Sequence, residues 1–314
     1  MNQLSITIVT PCYNESVFAL RFLESLEQSL GALPYRFHVV IVNDCSTDDT
    51  LAQLKQFRFA AANMRLHIVN LRFNVGHQAA IFQGFLFART LGSSHFVVMD
   101  SDGEDSPAAI PELLHHLDAD IVNVVRNKRK ESLLFRMFYR LYKLIFKMIT
   151  GKQMNFGNFC LISRKVLDNA IFNSFSHFAA FLSKQKGNIK YIVANREERI
   201  GGQSKMGFKK LFYHAFKSFV EYGEDLLMLF FKGFIIIMGV LALVIGNVLY
   251  QKFIAHTAIT GWTSTMLIGL INLAIMCIGF FVTGLLLLNL NNQNPNSKTA
   301  IYEISNEDTT GESV

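Results

Sequence analysis

Two long stretches without a charged side chain dominate what this chain can become. Gly233 to Tyr250 and Met266 to Leu288 contain no Asp, Glu, Lys or Arg. A helix needs about 20 apolar residues to cross roughly 30 Å of hydrocarbon, and each stretch reaches or approaches that length. The other way to hide such stretches is a buried hairpin of a soluble protein. The segment between them, Gln251 to Thr265, is short and carries one lysine, and is expected to be an outer loop. Basic residues crowd into Arg126 to Lys152 and Lys184 to Lys217, before the first stretch. The positive-inside rule puts that side in the cytosol, and two crossings return the tail to it.

The amino-terminal part has a different pattern. Short apolar runs at Ser5 to Thr10, Phe37 to Val42, Leu66 to Leu71, His95 to Met99 and Asp120 to Val125 read as strands. Helical spacing fills Glu15 to Leu30, Asp48 to Phe57, Gly76 to Leu91 and Pro107 to Leu117, with Ser46 or Thr47 able to cap the second helix. Alternation of this kind predicts a mostly parallel sheet with helices on both faces, whose ligands bind at the carboxyl ends of the strands. Met1 to Ile6 runs straight into the first strand with no leader pattern, so this part is expected to stay in the cytosol. The tail after Asn291 is rich in Asn, Asp and Glu and reads as a solvated, partly disordered extension.

Charge placement narrows the partners. Arg136, Arg140, Lys143 and Lys147 fall at i, i+4, i+7 and i+11, one face of a helix from Leu133 to Ile149 that holds no acid. That is a basic amphipathic helix of the interfacial type, or else a core helix with a solvated edge. Phe208 to Phe219 repeats the design with Lys210, His214 and Lys217. The net charge of +6 suits an anionic bilayer surface or a phosphate-bearing substrate. Nucleic acid is disfavoured, because long aliphatic side chains interleave the basic segments. Cys12, Cys45, Cys160 and Cys277 show no C-x-x-C spacing and read as reduced, small hydrophobes.

Chemistry concentrates at Asp100-Ser101-Asp102-Gly103-Glu104-Asp105, directly after the fourth strand. Carboxylates in a tight turn at a strand's carboxyl end suit Mg²⁺ or Mn²⁺ held partly by substrate phosphates. An acidic turn capping the helix at Pro107 is the structural alternative.

Four segments, taken in order, carry a family resemblance. They are Val9-Thr10-Pro11-Cys12-Tyr13-Asn14-Glu15, Val42-Asn43-Asp44-Cys45-Ser46-Thr47-Asp48, Arg72-Phe73-Asn74-Val75-Gly76-His77-Gln78-Ala79-Ala80 and Met99-Asp100-Ser101-Asp102. Together they resemble the nucleotide-binding segments of glycosyltransferase family 2. Val125-Arg126-Asn127-Lys128-Arg129, Gly157 to Arg164 and Arg199-Ile200-Gly201-Gly202-Gln203-Ser204-Lys205 extend the likeness to its polyprenyl-phosphate glycosyltransferases, the group that includes dolichol-phosphate mannose synthase.

The resemblance implies a GT-A (Rossmann-like) nucleotide-sugar-binding domain with amphipathic interfacial helices and two carboxyl-terminal transmembrane helices. Expected boundaries are 1–204 for a cytoplasmic catalytic domain that includes the basic helix 132–150, 205–231 for a juxtamembrane amphipathic helix, 232–290 for the spans, and 291–314 for a polar cytoplasmic tail. The implied reaction is inverting transfer from a UDP- or GDP-sugar to a polyprenyl phosphate at the cytoplasmic face of the plasma membrane. Pro11, Tyr13 and Glu15 would line the base and ribose pocket, and Asp44 would bond the base. Asn74, Gly76 and His77 are expected on the donor, and Arg199, Ser204 and Lys205 in the loop that closes over it. Asp100 and Asp102 would hold Mg²⁺ or Mn²⁺ with Glu104 nearby, and Asp102, Arg126 and Arg140 form the implied catalytic set, the arginines facing the acceptor phosphate. Members of the group can assemble through their spans, so a homo-oligomer stays open.

Asn43, Glu104 and Asn158 stand where the family often has Asp, Gln and Asp. Loss of an aspartate at 158 would matter if a general base were required, but a lipid phosphate is already largely ionised at neutral pH, its second pKa being near about 6. Two other readings remain at this level: transfer to a different membrane lipid or glycan, and a membrane scaffold that kept the fold without the chemistry. Processive synthases of the family carry Gln-x-x-Arg-Trp, whereas Trp262, the one tryptophan here, lies in the expected outer loop.

Overall fold

The computed structural model describes residues 3–126, 144, 146–147, 151, 156–194, 221–256, 261–292 and 299–305. They belong to two compact units. One gathers residues 1–143, 153–221 and 297–314, and the other residues 144–152 and 222–296.

The first unit is built on a sheet of eight strands: β1 (Ser5–Cys12), β2 (Arg36–Asn43), β3 (Met64–Leu71), β4 (His95–Val98), β5 (Ile121–Arg126), β6 (Cys160–Ser163), β7 (Ile189–Ala194) and β8 (Tyr302–Ile304). Their order is β7-β5-β6-β4-β1-β2-β3-β8. β4, β1, β2 and β3 are mutually parallel, as are β5 and β7. β6 runs antiparallel between β4 and β5, and β8 antiparallel on the free edge of β3.

Alternating residues of each central strand feed two separate cores, which is why these strands read as continuous apolar runs. Ile6, Ile8, Val39, Ile41 and Ile68 point into one core with Phe22, Leu23 and Leu26 of α1 (Ala19–Leu30). Val9, Val40, Val42 and Val69 point into the other, with Ile81 and Phe85 of α3 (His77–Ala88) and with α5 (Arg164–Asn173) and α6 (Phe178–Lys184). Between these lie α2 (Thr50–Gln56) and the short α4 (Ile110–Leu114). Gly84 lets α3 lie close on the sheet. A Cβ there would come 2.5 Å from Val9 Cγ1 and 2.8 Å from Val42 Cγ2, closer than side chains pack.

Several expectations shift. α1 begins at Ala19 rather than Glu15; ahead of it Asn14 sits at φ 53°, and the N–H groups of residues 14–16 donate to Ser46, Thr50 and Asp48. Neither Ser46 nor Thr47 caps α2. Asp48 Oδ1 accepts the Thr50 N–H, while Ser46 and Thr47 bond Asn14. The helix expected from Pro107 to Leu117 is a 3-10 turn followed by five α-helical residues. The tail expected as a solvated extension contains β8, which an exposed edge of β3 makes room for.

The second unit is a pair of helices of 31 residues each, α7 (Gly223–Phe253) and α8 (Trp262–Asn292). At 1.5 Å per residue each is roughly 46 Å long, more than a hydrocarbon core requires. Their most apolar windows are 6% and 0% buried, unlike the mostly buried core helix of a soluble protein. Where the two helices meet, Phe231 packs tilted against Phe281 at 5.3 Å and Phe234 stacks on it at 5.8 Å between ring centres. α7 runs unbroken from Gly223 through Lys232 into the uncharged stretch. Both basic amphipathic helices read from the sequence fall largely or wholly outside the described residues.

Candidate active site

The carboxyl ends of β1 to β4 are joined by a closed circuit of polar ties. Between β1 and β2, the Asn14 and Glu15 N–H groups donate to Ser46 Oγ and Thr50 Oγ1, both at 3.0 Å, and Thr47 N–H donates to Asn14 Oδ1 at 2.8 Å. Asn14 takes the left-handed conformation this needs, at φ 53°. The run Asn43 to Asp48 carried the signal for these bonds, since Asn, Asp, Ser and Thr side chains bond nearby backbone in turns.

Between β2 and β3 the tie is Asp44. It is 3% exposed, its Oδ1 accepts the Val75 N–H at 2.7 Å and its Oδ2 the Gly76 N–H at 2.9 Å. Asn74 Nδ2 donates to its carbonyl at 3.0 Å. Burial lifts the Asp44 pKa above its ordinary value, although the two N–H groups and His77 pull the other way. Gly76 sits at φ 84°, which opens α3 in a conformation that L side chains rarely adopt.

His77 closes the circuit toward β4. One ring nitrogen lies 2.9 Å from Asp100 Oδ1. β3 and β4 are separated by β2 and β1, roughly 14 Å in strand spacings, so only the passage of α3 over the sheet brings this pair together. Desolvation disfavours the charged imidazole, but Asp100, then Asp102 and Asp105, outweigh it and raise the His77 pKa. The last tie runs from β4 back to β1, where Ser101 Oγ donates to the Pro11 carbonyl at 3.0 Å.

The acidic turn lies beside these ties. Gly103 turns it at φ 77°, Asp102 Oδ1 accepts the Glu104 N–H at 3.0 Å, and buried Asp105 accepts the Asp100 N–H at 3.2 Å. Asp105 and Ser101 were not among the expected site residues, yet both anchor the turn. Among the described residues no three His, Cys, Asp or Glu side chains converge on a metal position, so Asp100, Asp102 and Glu104 do not make a closed cage. Their chemistry fits a hard cation that takes its remaining oxygens from a diphosphate, since each carboxylate offers about four lone-pair sites.

Tyr13 is 45% exposed and Pro11 is buried, and the Cys12 carbonyl between them accepts the Asp44 N–H at 2.9 Å. Asn43, where the family often has Asp, donates from Nδ2 to Asn70 Oδ1 at 2.6 Å across the β2–β3 pair. An aspartate would lack that N–H. Asn158 is buried at the entry to β6. Arg126 closes β5. Its side chain, like all of Arg140, Arg199, Ser204 and Lys205, lies outside the described residues. Cys12 and Cys160 are buried, and burial pushes the Cys12 thiol up to about 12, in keeping with a packing role.

Comparison with known proteins fits this geometry. The family described as Glycosyl transferase family 2 matches residues 7–177. The uncharacterized glycosyltransferase YkcC of Bacillus subtilis is 28% identical over 283 residues, covering 85% of this chain and 84% of the relative. Undecaprenyl-phosphate 4-deoxy-4-formamido-L-arabinose transferase of Pseudomonas fluorescens is 29% identical over 212 residues, covering 66% of this chain and 61% of that protein. Glucosyl-3-phosphoglycerate synthase from Mycobacterium tuberculosis, solved in complex with Mn²⁺, uridine diphosphate and phosphoglyceric acid, superposes with a TM-score of 0.50 at 15% identity. That match covers 71% of this chain and 78% of the other, and shows a shared fold.

Proposed function

The chain belongs to glycosyltransferase family 2 and is a glycosyltransferase, and from that premise we propose that it moves a sugar from a nucleotide-sugar to a polyprenyl phosphate at the cytoplasmic face of the plasma membrane. The observation that carries the proposal is one chain holding both a polar circuit at its strand ends and two unburied apolar helices of lipid-crossing length. The relative from Pseudomonas fluorescens, named as an undecaprenyl-phosphate transferase, supports the acceptor class.

In this reading Pro11, Tyr13, Glu15 and Asp44 hold the nucleoside, with Asn74, Gly76 and His77 on the donor's phosphate and sugar side. Arg199, Ser204 and Lys205 close over the donor. Asp102 is the lead metal ligand, Asp100 is held by His77, and Glu104 stands near. Mg²⁺ or Mn²⁺, when bound, neutralises charge on the leaving diphosphate. That the fold neighbour was solved with Mn²⁺ supports such an ion. Arg126 and Arg140 face the incoming phosphate and balance its charge. An acceptor phosphate oxygen forms the new bond to the anomeric carbon as the bond to the nucleoside diphosphate breaks and takes the electron pair with it. The displacement is in line and inverts that carbon. The acceptor, with its second pKa near about 6, arrives ionised and requires no base, so Asn158 is compatible with turnover.

Topology fits the same reading. The chain before α7 and the chain after α8 share one sheet through β8 and β3, which supports two crossings with both ends in the cytosol. The full-length protein in detergent, given undecaprenyl phosphate, Mg²⁺ or Mn²⁺ and a panel of UDP- and GDP-sugars, is expected to yield a glycosyl-phospholipid detectable by mass. Absence of a metal-dependent lipid product across the panel would sink the proposal.

A further inference from the structure

We infer that the carboxyl-terminal segment 299–305, seated by Gln83, is a positioning element for loop 72–76, named the donor loop because it carries Asn74 and Gly76 of the proposed donor site; the functional half of this inference rests on that proposed role.

The seat is built for an extended chain. Gln83 is 5% exposed within α3, a helix whose other buried side chains are, Gln78 apart, apolar or glycine. Both ends of its amide are used on one short segment. Nε2 donates to the Thr299 carbonyl at 3.1 Å, and Oε1 accepts the Ile301 N–H at 3.1 Å. A buried amide that lost this partner would keep an unsatisfied donor and acceptor, so the site favours occupancy. β8 adds register pairs Val69 with Ile304, Asn70 with Glu303 and Leu71 with Tyr302, and the Ser305 N–H donates to the Ile68 carbonyl at 3.0 Å. Tyr302 sets its ring edge-on to Phe87 at 6.0 Å and packs on the core beneath α3. The exposed ion pair of Arg72 with Glu303, at 3.4 Å, adds little.

The seat leads directly into the donor loop. Arg72 N–H donates to the Ile301 carbonyl at 3.2 Å, so segment 299–305 clamps the residue at which β3 becomes the loop 72–76. Two to four residues later come Asn74, Val75 and Gly76, whose groups hold Asp44. One edge strand therefore fixes the exit of β3 and, through it, the tie between β2 and β3.

The test compares the full-length chain with one ending at Lys298. Amide hydrogen exchange at Val75 and Gly76 needs no substrate and reads the loop directly. It is expected to accelerate on the order of tenfold or more on truncation, as lost bonds of ordinary strength imply. Donor KM should rise by a similar factor while kcat changes less. A synthetic peptide of residues 297–308 should restore both. If the shortened chain does not fold, Ile301→Pro in the full-length protein removes the N–H given to Gln83 and carries the same expectations. Unchanged exchange at Val75 and Gly76 would overturn the inference, as would faster exchange with an unmoved KM, or a peptide that restores thermal stability but not KM. A full-length chain that turns over no donor would instead remove the proposed function and leave the exchange result readable.

Discussion

At the amino ends of β1 and β4 the buried polar groups Thr7 and Ser93 are hydroxyls alone, whereas at the carboxyl ends carboxylates join the buried hydroxyls of Thr10 and Ser101. Thr7 Oγ1 donates to Ser93 Oγ at 2.8 Å and Ser5 Oγ lies 2.9 Å from the same oxygen. Those groups satisfy one another and carry no charge. At the carboxyl ends of the parallel strands, Asp44 after β2 and Asp100, Asp102 and Asp105 after β4 crowd one rim and are held by backbone N–H groups and an imidazole. Like charges at short range repel, and desolvating them is costly. A fold needing only stability would close both ends with hydroxyls. The difference teaches that the carboxylate end carries a cost that a cationic or metal-bridged ligand can offset, and the hydroxyl end does not.

That contrast can be broken or sharpened by four substitutions. Asp102→Ala should lower sugar transfer on the order of a thousandfold while thermal unfolding stays near wild type, as loss of charge compensation at a reacting centre implies. Retained turnover would remove Asp102 from the site. Asp44→Ala leaves the Val75 and Gly76 N–H groups unpaired and should cost about 2–3 kcal/mol in chemical denaturation, together with weaker donor binding. Wild-type stability would mean water replaces the carboxylate freely. His77→Ala should reduce metal-dependent turnover roughly 10- to 100-fold by removing the imidazole that orients Asp100, and raised metal concentration should recover part of it. A loss that metal does not relieve would place His77 on the donor alone. At the opposite end, Thr7→Val should cost about 1 kcal/mol and leave kinetics untouched. A kinetic effect there would erase the contrast between the two ends.

Much of this end was legible before any coordinates. Asp100 and Asp102 follow a strand by a spacing visible in the chain, and Asn43 to Asp48 shows the residue types that tie turns. What stayed hidden was who meets whom. Nothing near His77 in sequence points to Asp100, because the pair depends on α3 crossing two strands. Asp44 is expected on a base from its segment, yet it also holds two N–H groups of another loop. β6, no shorter than β4, enters antiparallel between β4 and β5 after the regular strand–helix alternation has ended, and β8 has only three residues.

The sequence by itself determined the elements that obey local periodicity. The alternating runs from Ser5 to Arg126, the two uncharged stretches Gly233 to Tyr250 and Met266 to Leu288, and the family motifs need only neighbours within a turn or two of chain. Only the tertiary structure decided which strand edge takes which partner and which carboxylate meets which donor. β8 pairs with β3, more than two hundred residues earlier, because that edge is open and Gln83 waits beside it. Such pairings follow from where distant unsatisfied groups arrive together in space, a quantity that no local window of side chains contains.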